Sequence, residues 1–210
     1  DHGLFQPGDQ LNCERGAYRM GKRLLHDHHP YGLLTLGEVL SRSSNIGMAK
    51  IGEKLGNEEL YRLLLEAGFG QRTGIELPGE LTGQVRHLRD WNLYSTGSIP
   101  MGQELTVTPL QMLAAHAAVA NGGTRITPHL QLAAAASKQQ TSQIVVSQLL
   151  SSTTSRWLVR EPLTAAVAEG TGTRARIPGL QVFGKTGTAQ KVVPETGGYS
   201  QARHVSSFVC

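Results

Sequence analysis

Between Thr108 and Gly123 lies a stretch that constrains how the rest of the chain can fold. Residues 110–120 are almost wholly apolar, with Gln111 and His116 as the interruptions. Thr108-Pro109 opens the run with a capping hydroxyl and then a proline at the first helical position, where its missing N–H is not needed. Asn121-Gly122-Gly123 closes it. A helix apolar on nearly every side is expected to be buried all round, and one of about eleven residues is too short to cross a membrane. Other elements must therefore cover it. The chain has 210 residues and 39% hydrophobic content, ample for one domain with a core. Aromatics are only 5%, so that core should be aliphatic and alanine-rich.

Further helices can be read around this one. Thr35 and Glu38 fit a capping box, and Leu36, Val39 and Leu40 make one apolar face. That helix should end near Arg42, where Ser43-Ser44-Asn45 breaks the pattern. A second carries Ile46, Ala49 and Ile51 at helical spacing and ends at Gly56. Asn57 can cap a third over 58–67, with Leu60, Leu63, Leu64 and Ala67 as its stripe. Residues 70–104 read as mostly irregular and 124–150 as a surface excursion. A helix over 155–169 must kink at Pro162 or hold it in a first turn. Gly170-Thr171-Gly172-Thr173 is a turn. From Leu180 the chain reads as a strand through Gly184-Lys185-Thr186-Gly187-Thr188, and a hairpin through 194–198 leads to a second strand over 204–209.

Residues 1–34 read as polar loop, broken by Gly3, Pro7-Gly8, Gly16, Gly21 and Pro30-Tyr31-Gly32. Much of the net charge of +4 sits there, on Arg15, Arg19, Lys22 and Arg23. No aromatic or motif support accompanies these charges, so a solvated basic loop is expected rather than a nucleic-acid surface. His26-Asp27-His28-His29 has metal-capable side chains but neither helical i, i+4 spacing nor a second ligand cluster, so no metal site is assigned. Cys13 and Cys210 are too few for a disulfide framework. There is no run of eighteen apolar residues and no opening signal peptide. No repeat or linker divides the chain. The start at Asp1-His2-Gly3 and the stop within a strand at Cys210 suggest a partial domain over 1–210.

Two short motifs carry chemistry. In Lys185-Thr186-Gly187-Thr188, strand alternation puts Lys185 and Gly187 on one face and Thr186 and Thr188 on the other. Gly187 would let an extended peptide lie close to this edge, and Lys185 gives positive potential for a terminal carboxylate. Ser43-Ser44-Asn45 sits in an interhelical loop: a serine can relay a proton, and an asparagine amide both donates and accepts. Serine acyl transfer also needs a nucleophile with a base beside it and donors for the oxyanion. No serine here has a lysine three residues on. Thr188-Ala189-Gln190-Lys191 has that spacing, but in a strand the two ends face opposite sides.

The first motif looks like the Lys-Thr-Gly motif of the penicillin-recognising acyl-transfer enzymes, the second like their Ser-x-Asn motif. The likeness extends, in order, through Gly68-Phe69-Gly70, Thr73-Gly74-Ile75-Glu76-Leu77-Pro78-Gly79-Glu80, Thr106-Val107-Thr108-Pro109-Leu110-Gln111-Met112, Ala120-Asn121-Gly122-Gly123 and Glu169-Gly170-Thr171-Gly172-Thr173. Together these resemble the transpeptidase domain of class B penicillin-binding proteins, with the cell-division and sporulation types nearest. The resemblance implies an α/β (α+β) fold of the penicillin-binding-protein/β-lactamase type, a central antiparallel sheet flanked by helices. That fold would be incomplete here, with the nucleophile helix upstream of Asp1 and a terminal strand and helix beyond Cys210.

The implied reaction is peptidoglycan D,D-transpeptidation on D-Ala-D-Ala stem peptides, with β-lactams forming a serine ester and neither metal nor organic cofactor needed. Ser43 would be the proton relay, Asn45 the amide-orienting group and Lys185 the electrostatic support. Ser44, Thr186, Gly187 and Thr188 would bind substrate, and Thr188 would give an oxyanion N–H. The resemblance further implies a position outside the bacterial cytoplasmic membrane, anchored through another segment, and work with a glycan polymerase and other division proteins. Two alternatives stay open. One is a non-catalytic module of the same fold that binds wall peptides or protein partners. The other is a β-lactamase using Glu76 or Glu80 to activate water.

Overall fold

The computed structural model describes residues 3–130, 146–193, 195 and 198–210. Four short strands come first: β1 (Gln10–Asn12), β2 (Ala17–Met20), β3 (Arg23–His26) and β4 (Leu33–Thr35). Helices α1 (Leu36–Ser41), α2 (Asn45–Leu55) and α3 (Asn57–Glu66) follow. Then come β5 (Gln84–Val85), α4 (Ser95–Ser98), β6 (Leu105–Thr106), α5 (Pro109–Ala120), β7 (Thr124–Ile126) and β8 (Val146–Gln148). Next are α6 (Ser152–Leu158), a π turn (Val159–Leu163) and α7 (Thr164–Ala168). β9 (Lys185–Val192) and β10 (Tyr199–Val209) end the chain. Among the described residues all pairing is antiparallel, in the pairs β1–β4, β2–β3, β5–β6, β7–β8 and β9–β10. The β9–β10 ladder is the longest, running from Lys185↔Val209 to Val192↔Tyr199. The turn expected at 194–198 falls largely outside the described residues, as does much of the excursion at 124–150.

The helix ends obey local chemistry. Thr35 and Glu38 form the expected capping box on α1. Ser44 caps α2, and Gly56 ends it in a left-handed conformation. Pro162 lies inside the 152–168 helical run, and the π turn accommodates it. The Thr164 hydroxyl donates to the Val159 carbonyl at 2.7 Å, satisfying one group that the irregular turn displaces.

Two expectations need correction. Residues 3–34 are not a polar loop. They hold two antiparallel pairs and supply Leu11, Cys13, Met20, Leu25 and Leu34 to the core, packed with Val39, Ile46 and Ala49 of α1 and α2. Gly21 is a breaker because it opens a two-residue hairpin loop, with Met20 opposite Arg23. Strands of three or four residues are too short to show a period, so only their turns are visible in the sequence.

The second correction concerns α5. It buries Gln111, Ala115 and Ala118 but leaves Leu113 54% exposed, so among the described residues one face is covered and the other open. Gln111, the polar residue of the first turn, is the one drawn inside. Its side-chain oxygen accepts from the Thr108 amide at 2.8 Å. Its amide group donates to the carbonyls of Gln71 and Thr82 at 2.7 and 2.8 Å and reaches that of Gly68 at 3.3 Å. One side chain thus satisfies the irregular backbone of the 68–83 region, where no ladder can. Replacing Gln111 by leucine keeps the volume and strands those carbonyls. We expect a loss of about 3 kcal/mol, since each buried unsatisfied group costs roughly 1–3 kcal/mol. Urea denaturation of the two chains measures it.

Candidate active site

Helix α1 ends in a turn that aims Ser43 at β9. The Ser43 amide donates to the Leu40 carbonyl at 3.2 Å and the Ser44 amide to the Val39 carbonyl at 3.0 Å, the paired bonds of a Schellman motif. Ser43 takes the left-handed position at φ 58, where glycine is usual. A serine there accepts backbone strain of roughly 1 kcal/mol in exchange for a hydroxyl at the tip of the turn.

That hydroxyl meets β9. Lys185 Nζ donates to Ser43 Oγ and, at 2.9 Å, to the Thr186 carbonyl. Ser43 and Lys185 are 142 residues apart in sequence. Ser43 Oγ also lies 3.4 Å from Thr171 Oγ1, which is 2.6 Å from Thr186 Oγ1. An ammonium and three hydroxyls therefore run in one hydrogen-bonded chain around the start of β9. The Gly184 amide pins that start to the π turn through the Leu163 carbonyl at 3.1 Å. Thr171 can join because Gly170 has no side chain: a Cβ there would lie 2.4 Å from the Ser41 carbonyl oxygen. A cleft of about 870 Å³ opens beside this chain, bordered by Ser43, Thr171, Arg42, Glu38 and Arg160.

The remaining sequence-assigned residues are spread around this centre. Asn45 is exposed at the first position of α2 and donates through Nδ2 to the His26 carbonyl at 3.0 Å. Thr188 is exposed on β9 opposite Ser206. Gly187 faces Ser207 across the ladder, and a Cβ on it would lie 2.5 Å from Ser207 Oγ, so the glycine makes room for that neighbour as well as for anything alongside the strand. Ser44 requires correction as a substrate-binding residue. It is fully buried, with its hydroxyl accepting from the Gly47 amide at 3.0 Å and donating to Asp27 Oδ2 at 2.6 Å. It holds the turn from inside.

Two contributors were missed. Thr171 stood in a recognised motif, but nothing in its spacing ties it to Ser43. Asp27 lies in a stretch whose composition predicts a basic loop; among the described residues no group of three or more metal-capable side chains forms there, and Asp27 faces the N-terminus of α2.

Burial pushes the Lys185 pKa below the ordinary lysine range, with desolvation the sole cause. Hydroxyl and carbonyl acceptors hold the ammonium without neutralising it.

The whole chain, residues 1–210, matches the family model described as the penicillin binding protein transpeptidase domain. The chain belongs to the penicillin-binding protein transpeptidase family. It is 40% identical over 185 residues to the stage V sporulation protein D of Bacillus subtilis, covering 85% of this chain and 28% of that protein. It is 36% identical over 211 residues to the penicillin-binding protein PbpB of Mycobacterium tuberculosis, covering 95% and 31%. The chain thus spans about a third of the length of the curated relatives it matches, as those shares of 28% and 31% state. Among solved structures, it superposes on penicillin-binding protein 3 of M. tuberculosis in complex with ampicillin with a TM-score of 0.86 at 33% identity, covering 99% of this chain and 48% of that one. The transpeptidase domain of Burkholderia pseudomallei penicillin-binding protein 3 matches at TM-score 0.86 and 28% identity, covering 96% and 59%. The penicillin-binding transpeptidase fold, mixed α/β with antiparallel sheet, is therefore the fold of this chain.

The lowered Lys185 pKa has a consequence with a definite sign. Between that value and about 10.4 the unfolded chain holds more protons than the folded one. Stability through this group is therefore lowest at neutral pH and rises as pH climbs through that window. Ser43→Gly should relieve roughly 1 kcal/mol of turn strain but take an acceptor from the charged Lys185, so at neutral pH a net loss of about 1 kcal/mol is expected. It should also lower the Lys185 pKa further, because the lost hydroxyl accepted from the charged form. Urea melts at several pH values and NMR titration of the lysine Cε resonances check both.

Proposed function

We propose that this chain forms the substrate-binding part of a peptidoglycan D,D-transpeptidase domain that takes D-Ala-D-Ala stem peptides and is acylated by β-lactams. The observation that carries the reading is the Lys185 ammonium resting on the Ser43 hydroxyl, which joins the family's two motifs in one site. In this reading a serine from a Ser-x-x-Lys helix N-terminal to residue 1 attacks the penultimate D-Ala carbonyl. The C–N bond breaks, D-Ala leaves as an amine with a proton relayed through Ser43, and the amine of a second peptide then takes the acyl group. Lys185 raises the local positive potential, Thr186 and Thr188 hold the terminal carboxylate, Asn45 orients the peptide amide, and the Thr188 N–H faces the oxyanion. Gly187 lets the peptide lie along the open edge of β9. Thr171 joins this set as a hydroxyl between Ser43 and Thr186.

The ampicillin complex of the M. tuberculosis relative supports β-lactam binding. The name of the Bacillus subtilis relative supports a role in sporulation; a role in division, a place outside the cytoplasmic membrane on an anchor elsewhere in the protein, and work beside a glycan polymerase and other division proteins are part of the proposal. The structure disfavours the β-lactamase alternative. Glu76 bonds His129 Nδ1 at 3.0 Å and the Leu130 amide at 3.2 Å, and the histidine bond above all holds its pKa at about 2. Glu80 accepts from the Thr73 hydroxyl and amide, and the hydroxyl bond foremost lowers its pKa. Carboxylates so weakly basic are poor activators of water.

Intact mass after treatment with benzylpenicillin tests the reading. We expect no adduct on the 210-residue chain and one on the full-length protein that carries it. Lys185→Ala should slow that acylation by about 10²-fold or more, as removal of a preorganised electrostatic group does. An adduct on the chain alone would contradict the assigned origin of the nucleophile. No adduct on the full-length protein would instead support the non-catalytic binding module.

A further inference from the structure

The Ser43 turn is gripped from behind by His26-Asp27, at the end of β3. Asp27 Oδ2 accepts from the Ser44 hydroxyl at 2.6 Å and Oδ1 from the Ile46 amide at 3.0 Å. The His26 carbonyl accepts from the Asn45 side chain at 3.0 Å. Three consecutive residues, Ser44, Asn45 and Ile46, are thus each tied to the same dipeptide. Asp27 is itself fixed, its amide donating to the Gly16 carbonyl at 3.2 Å. Gly16 ends a run of three left-handed residues, with Glu14 at φ 51, Arg15 at φ 52 and Gly16 at φ 85. A Cβ on Gly16 would come within 2.9 Å of Pro30 Cα.

This is more than starting a helix requires. Ser44 already caps α2 through the Gly47 amide, and one side-chain cap is the usual provision. The carboxylate adds a second anchor from a distant segment, on the residue next to Ser43, and a strained turn is spent on holding it. Negative charge at a helix N-terminus is favourable, but that does not require one oxygen on the amide and the other on the capping hydroxyl. The arrangement fixes the place of the turn as well as its stability.

We propose that Asp27 is a positioning residue, which sets Ser43 and Asn45 in register with Lys185. This rests on the reading of the site given above. A hydrogen bond fails within a few tenths of an ångström beyond 3.5 Å, so a small drift of the turn separates Ser43 from Lys185. Asp27→Asn can keep the geometry with one bond reversed: its oxygen accepts from the Ile46 amide, and its amide donates to the Ser44 hydroxyl. Asp27→Ala removes both anchors. Asp27→Glu keeps charge and acceptors but adds a methylene, which displaces the turn.

The test is pre-steady-state acylation of the full-length protein by benzylpenicillin, resolving rate constant from amplitude, with amide hydrogen exchange at Ile46 and Gly47. The amplitude reports the folded, competent fraction, whereas the rate constant reports the geometry within it. In Asp27→Ala the rate constant should fall by about 10²-fold, the scale set by an ångström of misplacement, with faster exchange at Ile46. Asp27→Asn should restore the rate close to wild type, and Asp27→Glu should slow it while the protein stays folded. A wild-type rate constant in Asp27→Ala with only the amplitude or melting temperature reduced would overturn the proposal, as would a wild-type rate in Asp27→Glu or unchanged exchange at Ile46. If the wild-type protein takes up no penicillin, the site reading fails and the positioning role falls with it, an outcome distinct from failure in the variants alone.

Discussion

The site depends on one ammonium that has no counter-ion among the described residues. Removing a charge from water is costly unless hydrogen bonds replace the lost hydration. Lys185 meets that demand with the Ser43 hydroxyl and the Thr186 carbonyl. A carboxylate would hold it more tightly and cancel its field. Neutral acceptors keep the positive potential available to whatever lies along β9. The local features around the site follow from placing those acceptors: the left-handed Ser43, the bare Gly170 under Thr171, and the π turn whose Leu163 carbonyl anchors Gly184.

These features are also where the chain departs from local rules. Serine stands where a Schellman motif prefers glycine, and proline stands inside a helical run. Such departures concentrate where geometry is needed for more than stability. Elsewhere Glu14, Arg15 and Glu104 are also left-handed, but two helix starts follow the rules in full. Thr35 with Glu38 and Thr108 with Gln111 form full capping boxes.

What was legible in the sequence follows the same division. The starts of α1 and α5 could be read because a capping box is a local pattern of four residues, whereas Asn57, expected as the cap of α3, lies inside that helix behind Gly56. β9 and the Ser43 turn could be read because their motifs are contiguous. The N-terminal strands could not, since each is short and its partner is fixed by tertiary packing. The apolar run of α5 misled for a different reason. Helix composition showed that the run was apolar but not which way it faced, and Gln111 turned inward because the backbone of residues 68–83 needed its hydrogen bonds. Asp27 and Thr171 escaped because they act across 17 and 128 residues of sequence, on Ser44 and Ser43 respectively. No spacing rule reaches so far.

The polarity of the hydroxyl chain gives the ammonium a second consequence on the proposed reading. A protonated Lys185 is a donor only, so Ser43 Oγ accepts from it and its own hydrogen is free to turn toward Thr171. Thr171 in turn can donate to Thr186 at 2.6 Å, and the Thr186 hydrogen is then directed away from the chain. A donor facing outward suits a ligand carboxylate. Were the lysine neutral, its lone pair could accept from Ser43, the ordering force on the chain would be lost, and Thr186 could as well present an acceptor. The charge state of one half-buried side chain thus favours one direction among three hydroxyls. The absence of a cancelling carboxylate among the described residues leaves its field directed at the ligand.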